Sequence, residues 1–487
     1  MGRYSYMTRN RRSRRRQGRN NLPLIIGGVV LAAALGCGGF FAAKKLAGKG
    51  SADANTTIVA ESGETSSSAA ETEPVLTGVE AVLADAAKLA MGYDYDGAIE
   101  FLQSDSTYAS DQQVTDAIAE YENIKSTLVR QDIEKITHVF FHTLIMDTSK
   151  AFDGDTRQDG YNQVMTTKDE FLKIMQKMYD EGFVLVRLHD MAYETTDENG
   201  QPKFQAGDIM LPEGKQAFVL SQDDVCYYEY MTGDGFATRM IIGEDGRPTN
   251  EMLMDDGTTS VGSYDVVPLL DDFIDEHPDF SYKGARGIVA FTGYNGILGY
   301  RTAPSYSENP TYEQDRETAA KVVQCLRDEG WEIASHSWGH RDMGSISYSD
   351  FKTDTDKWET EVESLTGPVD IILFPFGSDI GDWRPYTDDN ERFAYLKSVG
   401  FRYFCNVDSH QYWVQMGNDH LRQGRRNLDG YRMWRDITEP DNPRLSDLFD
   451  ANDVFDSARP TPVPSMNPTS ASTETTTETS AETTAAQ

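Results

Sequence analysis

Short apolar runs alternate with longer amphipathic stretches between about residues 136 and 435 of the chain. Apolar runs of this length, bounded by polar or glycine-containing segments, are typical of buried β-strands. We predict seven strands, over residues 137–141, 183–186, 217–220, 287–291, 332–334, 371–374 and 402–407. Helical periodicity occurs between several of them, over residues 167–180, 312–328, 350–365 and 390–398. Strands that alternate with helices predict an α/β fold, here a distorted (β/α) barrel of about seven strands spanning residues 136–435.

The segment before the barrel, residues 78–130, has a helical pattern. Val79, Val82, Ala86 and Ala90 recur at steps of three and four residues, as on one face of a helix. The phrase GYDYDGAIEFL (92–102) resembles part of a tetratricopeptide-type helical hairpin, but a solenoid needs about three copies and we find one. We predict a small helical stalk domain, and the sequence identifies no partner for it.

An uncharged apolar stretch covers residues 22–43 and would form a helix of roughly 33 Å, enough to cross a bilayer. Eight arginines precede it, and Lys44, Lys45 and Lys49 follow it. By the positive-inside rule, residues 1–21 are cytoplasmic and the body is extracytoplasmic. A cleaved signal peptide is the alternative, but the stretch is longer than the usual signal core. We therefore predict a single-pass anchor in the cell membrane.

The segments that flank the folded regions are rich in Ser, Thr, Ala and Glu, and we predict that residues 44–77 and 459–487 are disordered. The chain has a formal net charge of −34, and its first 50 residues contain no acidic residue. The remainder is therefore strongly acidic and repels the phosphate backbone, which argues against a nucleic-acid partner. The four cysteines, Cys37, Cys226, Cys325 and Cys405, form no CxxC pair and predict no disulfide framework.

Polar residues directly follow several of the predicted strands. In parallel α/β barrels, active sites form at the carboxyl ends of the strands, so residues distant in sequence converge there. The residues that we expect at this end are His142, Asp223, Asp224, His336 and His340.

His336 and His340 are four residues apart, and on a first helical turn this spacing would place both imidazoles on one side. Two imidazoles and one carboxylate suit a zinc ion with an open position for water, although two hydrogen-bonded loop histidines are the alternative. In the adjacent pair Asp223-Asp224, one acid can hold a cation while the other acts as a base; the alternative is a solvated turn. We predict a structural role for His138, which shares a strand face with His142.

Three motifs occur in the order SQDD (221–224), HSWGH (336–340) and FPFG (374–377). They resemble the motifs of the polysaccharide deacetylases, the NodB-type carbohydrate esterases of family four, over about residues 136–435. The resemblance implies a (β/α) barrel that removes acetyl groups from glycans with a divalent metal, most often zinc. The chain departs from the family pattern in three ways: Val225 replaces the usual glycine, no arginine precedes Pro375, and no late Leu-x-His motif is found.

By that resemblance, Asp223 is the catalytic base, and Asp224, His336 and His340 are the metal ligands. The phrase FFHTL (140–144) resembles an N-terminal motif of permuted family members, in which a histidine is the general acid. The corresponding residue in this chain is His142.

The resemblance also assigns residues to substrate binding. The backbone N–H of Phe376 would help to hold the oxyanion, and Pro375 and Trp338 would line the same site. Aromatic side chains near the motifs are candidates for stacking on sugar faces, although such residues more often belong to the core. They are Tyr227, Tyr228, Trp338, Trp383 and Trp413.

These expectations combine into one predicted function: a metal-dependent hydrolase that removes acetyl groups from N-acetylated cell-wall polysaccharide, either peptidoglycan or a related glycan. Its expected partners are the acetylated glycan and, through the N-terminal helix, the membrane. Two alternatives stay open. One is a glycan-binding pseudoenzyme, which the altered first motif favours, and the other is a cell-surface scaffold.

Overall fold

The structure is a computed structural model that describes residues 76–465. The predicted basic segment (1–21), the membrane anchor (22–43), nearly all of the 44–77 linker and residues 466–487 lie outside the described residues. Within residues 76–465, no helix combines the length and the hydropathy needed to cross a bilayer.

Strands and helices are numbered in chain order. The strands are β1 (Val129–Arg130), β2 (Thr137–Phe141), β3 (Phe183–Leu185), β4 (Ala192–Thr196), β5 (Pro202–Ala206), β6 (Met210–Leu211), β7 (Gln216–Gln222), β8 (Arg239–Ile242), β9 (Pro248–Leu253), β10 (Thr259–Gly262), β11 (Ile288–Phe291), β12 (Glu332–Ser335), β13 (Ile371–Leu373), β14 (Tyr403–Val407), β15 (Val414–Met416) and β16 (Leu421–Asn427). The α-helices are α1 (Val79–Met91), α2 (Tyr95–Ser104), α3 (Gln112–Lys125), α4 (Thr148–Ala151), α5 (Gln158–Val164), α6 (Lys168–Asp180), α7 (Leu188–Met191), α8 (Val266–Glu276), α9 (Tyr312–Glu329), α10 (Tyr348–Glu361), α11 (Glu363–Thr366), α12 (Glu391–Val399), α13 (Gly430–Thr438) and α14 (Ala451–Val454).

Seven parallel strands form a closed barrel in the order β11, β12, β13, β14, β16, β2 and β7. The barrel closes where Ser221 and Gln222 of β7 pair with Ile288 and Val289 of β11. The prediction of a (β/α) barrel of about seven strands is therefore confirmed.

The membership of the barrel differs from the prediction at two strands. Every predicted run is a strand, but β3 pairs only with β7, apart from one bridge to Ser281, and lies outside the closed ring. The seventh strand is instead β16, which no hydrophobic pattern marks. Its sequence, LRQGRRN, looks solvent-exposed, yet its three arginines are buried because each pairs with an acid: Asp379, Asp223 and Asp447 in turn.

The barrel interior changes from apolar to polar along the strands. Ala217 and Val219 of β7 belong to an apolar cluster near the amino ends of the strands. Two residues farther along the same strand, Ser221 bonds to the Nε2 atom of His138 and accepts a hydrogen bond from Arg425. The polar chemistry of the interior is thus concentrated toward the carboxyl ends of the strands.

Helices α1, α2 and α3 form a small helical unit, which agrees with the helical pattern of residues 78–130. Its interior consists mainly of Ala86, Ala98, Leu102 and Val114. The unit packs on the loop before β11, where the Tyr93 hydroxyl donates to the backbone carbonyl of Asp279. The likeness of residues 92–102 to a tetratricopeptide hairpin stays a prediction.

The sequence predicts that the barrel ends near residue 435 and that a disordered tail begins at residue 459. The folded part of the chain extends beyond both positions. Arg459 forms a fully buried ion pair with Glu170, which also accepts hydrogen bonds at the start of α6. The prediction that the disordered tail begins at residue 459 is therefore wrong for residues 459–465. The composition of the tail, rich in Thr, Ser and Glu, gives no sign of this single buried charge pair.

Candidate metal and catalytic site

The structure brings the predicted site residues together at the carboxyl end of the barrel. Asp223 and Asp224 directly follow β7, His142 follows β2, and His336 follows β12. Four residues after His336, His340 lies with its ring centroid 5.1 Å from the ring centroid of His336. The parallel strands thus produce the convergence that the sequence predicts.

Asp224, His336 and His340 each offer a ligand atom, and these three atoms lie within 4.8 Å of one another. Among them, His340 Nε2 lies 3.4 Å from Asp224 Oδ2. Within residues 76–465, this is the one group of three His, Cys, Asp or Glu side chains with such spacing. Two imidazole nitrogens and one carboxylate oxygen are the donor set of a catalytic zinc site that keeps an open position.

The hydrogen bonding of His336 suits a metal ligand. Its Nδ1 lies 2.7 Å from the carbonyl oxygen of Leu373, so Nδ1–H donates and the lone pair of Nε2 faces the cluster. Burial lowers the pKa of His336, and this effect outweighs the nearby negative charges of Asp223 and Asp224. The imidazole is therefore neutral near pH 7, the form that ligates metals.

Asp223 lies beside this triad and has a different environment. Its Oδ1 accepts a 2.6 Å hydrogen bond from Arg425 Nη1, and its Oδ2 lies 3.8 Å from His336 Nε2. Burial alone would raise the pKa of Asp223, but Arg425, with smaller contributions from His336 and His142, lowers it to about 2. The carboxylate is thus ionised at neutral pH, although almost none of it contacts solvent.

The HSWGH segment is a loop and not the first helical turn on which the four-residue spacing would place both imidazoles on one side. Ser337 and His340 both have left-handed backbone conformations, with φ values of 56° and 49°. The Asp354 carboxylate on α10 fixes the loop by accepting hydrogen bonds from the backbone N–H groups of Trp338 and Gly339, both at 2.8 Å. The loop, and not a helical turn, therefore brings the two imidazoles together.

Tyr228 is hydrogen-bonded to the predicted ligand Asp224. Its hydroxyl donates a 2.7 Å hydrogen bond to Asp224 Oδ1 and also lies 2.9 Å from the hydroxyl of Thr292. Buried partners of this kind orient a metal ligand. The neighbouring Tyr227 is buried and donates to Asp265, so neither of these two tyrosines offers an exposed face to a sugar.

The predicted general acid, His142, is half-buried. Its Nδ1 lies 3.1 Å from the carbonyl oxygen of Val164, so Nδ1–H donates and Nε2 is left to exchange a proton. His142 is close enough to lower the pKa of both Asp223 and Asp224. His138, by contrast, is buried with both ring nitrogens bonded, to Gln423 and Ser221, in agreement with a structural role.

Among the residues predicted to contact substrate, Phe376 packs against the predicted ligand His340. Phe376 has a left-handed φ of 57°, and its side chain is 72% exposed with its ring centroid 4.6 Å from that of His340. Pro375 is buried at the start of the same turn. The indole of Trp338 donates to Glu361, and Trp383 is exposed and packs edge-on against Trp413.

Three supporting residues escaped the sequence analysis: Arg425, Asp354 and, in its role as a hydrogen-bond donor, Tyr228. Asp354 is one acid among many on a charged helix, and nothing in its neighbourhood of the sequence marks it. The arginine-rich segment 421–427 contains one indication for Arg425: if the segment is a strand, alternate residues of it face the barrel interior. This indication can be used only after the segment is recognised as a strand.

The model of the polysaccharide deacetylase family matches residues 306–404 of this chain. The matched region contains the HSWGH loop and the FPFG turn, but not Asp223, Asp224 or His142. This match supports an enzyme that acts as a deacetylase.

The solved structures that resemble the chain include the following two. The first, a Streptococcus pyogenes deacetylase PplD in complex with acetate, is 12% identical, covers 65% of this chain and all of its own, and gives a TM-score of 0.32. The second, a putative polysaccharide deacetylase, BA0330, from Bacillus anthracis, is 10% identical, covers 66% of this chain and 69% of its own, and gives a TM-score of 0.33. Scores this low do not establish a shared fold, which rests on the strand pairing given above. No curated protein matches the chain significantly.

Proposed function

We propose that this chain is a metal-dependent hydrolase that removes acetyl groups from N-acetylated cell-wall polysaccharide, either peptidoglycan or a related glycan. The observation that carries the proposal is the placement of Asp224, His336 and His340 around one point, with the ionised carboxylate of Asp223 beside them. The family match over residues 306–404 supports the acetyl group as the group removed.

In this proposal, the Asp224 carboxylate and the Nε2 atoms of His336 and His340 would hold a divalent cation, and zinc suits that donor set best. When bound, the cation would supply Lewis acidity toward the acetyl carbonyl. Tyr228 and the carbonyl of Leu373 orient two of the three ligands through the hydrogen bonds described above.

Asp223 is the general base of the proposed reaction. Arg425 occupies Oδ1, so Oδ2 is the atom left to take a proton from the attacking water. Because Arg425 fixes the carboxylate and keeps it ionised, the base is held ready without any rearrangement of the site.

His142 is the general acid that protonates the leaving amine, through Nε2. The backbone N–H of Phe376 helps to stabilise the negative charge that develops on the acetyl oxygen. We assign Pro375 and Trp338 to substrate positioning at the same site.

Metal analysis combined with acetate release from a long N-acetylated chito-oligosaccharide tests the proposal. We expect about one metal ion per chain, with acetate release abolished by a chelator and restored by zinc. The matched control is the double variant His336→Ala/His340→Ala, which should lack both metal and activity. Acetate release by a metal-free double variant would refute the proposal. A wild-type protein that binds glycan and metal without releasing acetate would be the pseudoenzyme instead.

We further propose that the protein is a single-pass membrane protein with its catalytic domain outside the cell. The support comes from the uncharged stretch 22–43 and from the arginines that precede it. External protease on intact cells should then digest the body and leave a small N-terminal fragment in the membrane. A body found free in the medium under all growth conditions would contradict the anchor.

A further inference from the structure

Three tyrosines stack in a row beside the candidate metal site. The ring of Tyr228 stacks with Tyr230, at a centroid distance of 5.5 Å, and with Tyr294, at 5.6 Å, with interplanar angles of 10° and 22°. The middle ring is only 7% exposed, whereas Tyr230 is 50% exposed and Tyr294 is 38% exposed. Two large aromatic side chains are thus held in fixed positions with much of their surface in water, which is typical of a binding surface.

Both loops that carry the predicted metal ligands hold this row in place. The Tyr228 hydroxyl donates to Asp224, and the backbone N–H of Tyr294 donates to the carbonyl of Trp338, at 3.0 Å, between His336 and His340. The position of the row relative to the metal ligands is therefore set by direct hydrogen bonds.

Polar groups border the Tyr230 end of the row. The Arg157 guanidinium lies 5.9 Å from the Tyr230 ring centroid and pairs with Asp234, at 3.1 Å. Asp234 also accepts a 2.8 Å hydrogen bond from Tyr161, and both members of the ion pair are partly exposed. A pyranose ring has apolar C–H faces and a rim of hydroxyls, so an aromatic surface bordered by such donors and acceptors is chemically complementary to it.

Phe376 adds another exposed aromatic ring next to the ligand triad, in contact with His340. Exposed aromatic side chains therefore lie next to the triad near more than one of its ligands. Several such rings offer contacts to more than one sugar of a linked chain.

We infer that Tyr230 and Tyr294, backed by Tyr228, form a wall of the substrate cleft on which a neighbouring sugar ring of an extended acetylated glycan stacks. This inference rests on the proposed function and makes it more specific: part of the binding energy of the polysaccharide comes from a sugar that does not react. Such remote contacts favour the long substrate over a short one.

The test compares kcat/KM for a long N-acetylated chito-oligosaccharide with kcat/KM for an aryl acetate ester. In Tyr230→Ala and Tyr294→Ala, we expect the ratio of the two values to fall roughly threefold to tenfold, the range for the loss of one aromatic stacking contact. Tyr230→Phe and Tyr294→Phe keep the ring and should restore most of the ratio. Tyr193→Ala is the matched control, because Tyr193 is an exposed tyrosine on β4, at the amino end of the barrel, and should leave the ratio unchanged.

A ratio unchanged in both alanine variants would overturn the inference, even if the wild-type enzyme releases acetate as proposed. An equal fall for both substrates would also overturn it, since the tyrosines would then serve only the metal site. If the wild type releases no acetate, the proposed function fails, and calorimetric titration with the same oligosaccharide decides the inference. The Kd of the oligosaccharide should then rise roughly threefold to tenfold in Tyr230→Ala and Tyr294→Ala but not in Tyr193→Ala. An unchanged Kd would refute the inference that a sugar stacks on these tyrosines.

Discussion

A histidine lies among carboxylates at each end of the barrel, and the two histidines are bonded differently. At the carboxyl end, His336 donates from Nδ1 to a backbone carbonyl, and its Nε2 faces Asp223 and Asp224 without an N–H. At the amino end, His189 bonds to carboxylates through both ring nitrogens: Nδ1 to Glu332, and Nε2 to Asp370 at 3.1 Å. The same residue types therefore form two different sites.

The pKa shifts of the two histidines have opposite directions. Burial lowers the pKa of His336, so the ring is neutral and offers a lone pair. Burial also opposes the charged form of His189, but Glu332 and Asp370 outweigh it and raise the pKa of His189 to about 10. Acids at both ring nitrogens of His189 stabilise the imidazolium and leave no nitrogen for a metal, whereas the single carbonyl at Nδ1 of His336 leaves Nε2 free to bind one.

The backbone differs between the two ends as well. Asp224, Ser337, His340 and Phe376 have left-handed conformations, which are unfavourable for non-glycine residues, and all four lie at or next to predicted site residues. Near the amino end, Tyr93 and Lys283 are such residues. Strained conformations concentrate where the positions of a few atoms matter, which favours the carboxyl end as the reactive one.

The substitution with the largest expected effect tests whether the carboxyl end is catalytic. Asp223→Asn keeps the size of the side chain but cannot accept a proton, so acetate release should fall roughly 10²- to 10⁴-fold. Metal content should barely change, because Asp223 is not one of the proposed ligands. Acetate assays and metal analysis on the same preparation measure both effects.

The neighbouring acid provides the control for that experiment. Asp224→Asn replaces an anionic ligand with a neutral one, so metal and activity should be lost together, and excess zinc should restore part of the rate. If Asp223→Asn lost the metal and Asp224→Asn kept it, the roles of the two acids would be exchanged.

Much of the barrel could be predicted because each strand except β16 is an apolar run of ordinary strand length. The failure at β16 has a definite physical cause. Arg422, Arg425 and Arg426 are compatible with burial only because acids from other parts of the chain neutralise them, and one sequence segment does not show its distant partners.

The candidate site, too, could be predicted only in part. Its polar residues could be predicted because they directly follow strands and match motif spacings. The hydrogen bonds that hold them could not, since Arg425 and Asp223 are 202 positions apart in the chain. Asp354 and Tyr228 act through the geometry of loops, which strand and helix periodicity does not describe.

The buried pair of Arg425 and Asp223 gives the second prediction. Arg425→Met leaves Asp223 buried without its counter-charge, so the free energy of unfolding should fall by about 3–5 kcal/mol. The double variant Arg425→Met/Asp223→Asn removes both charges and should recover most of that loss. Urea unfolding of the single and double variants measures the coupling between the two residues.

Arg422→Met is the matched control for that cycle, because Arg422 is equally buried on the same strand but pairs with Asp379. The changes that Arg422→Met and Asp223→Asn each cause in the free energy of unfolding should be additive in the double variant. An Arg425→Met protein as stable as the wild type would show that the ion pair does not hold the base in place.

The smallest expected effect concerns the amino end of the barrel, and it depends on pH. The folded-state pKa of His189, about 10, lies above its ordinary value of 6.5, so its ion pairs contribute stability that is fully present below pH 6.5 and lost as pH rises toward 10. His189→Gln cannot carry the charge. Because His189 is partly exposed, solvent screening limits the expected difference in unfolding free energy to about 1 kcal/mol at pH 6, and the difference should shrink steadily toward pH 10.

Urea unfolding at several pH values measures this difference, with His410→Gln, at an exposed histidine with one acidic partner, as the control. A difference that stays constant with pH would mean that His189 acts by packing rather than by charge, and the contrast between the two ends of the barrel would then lose its electrostatic basis.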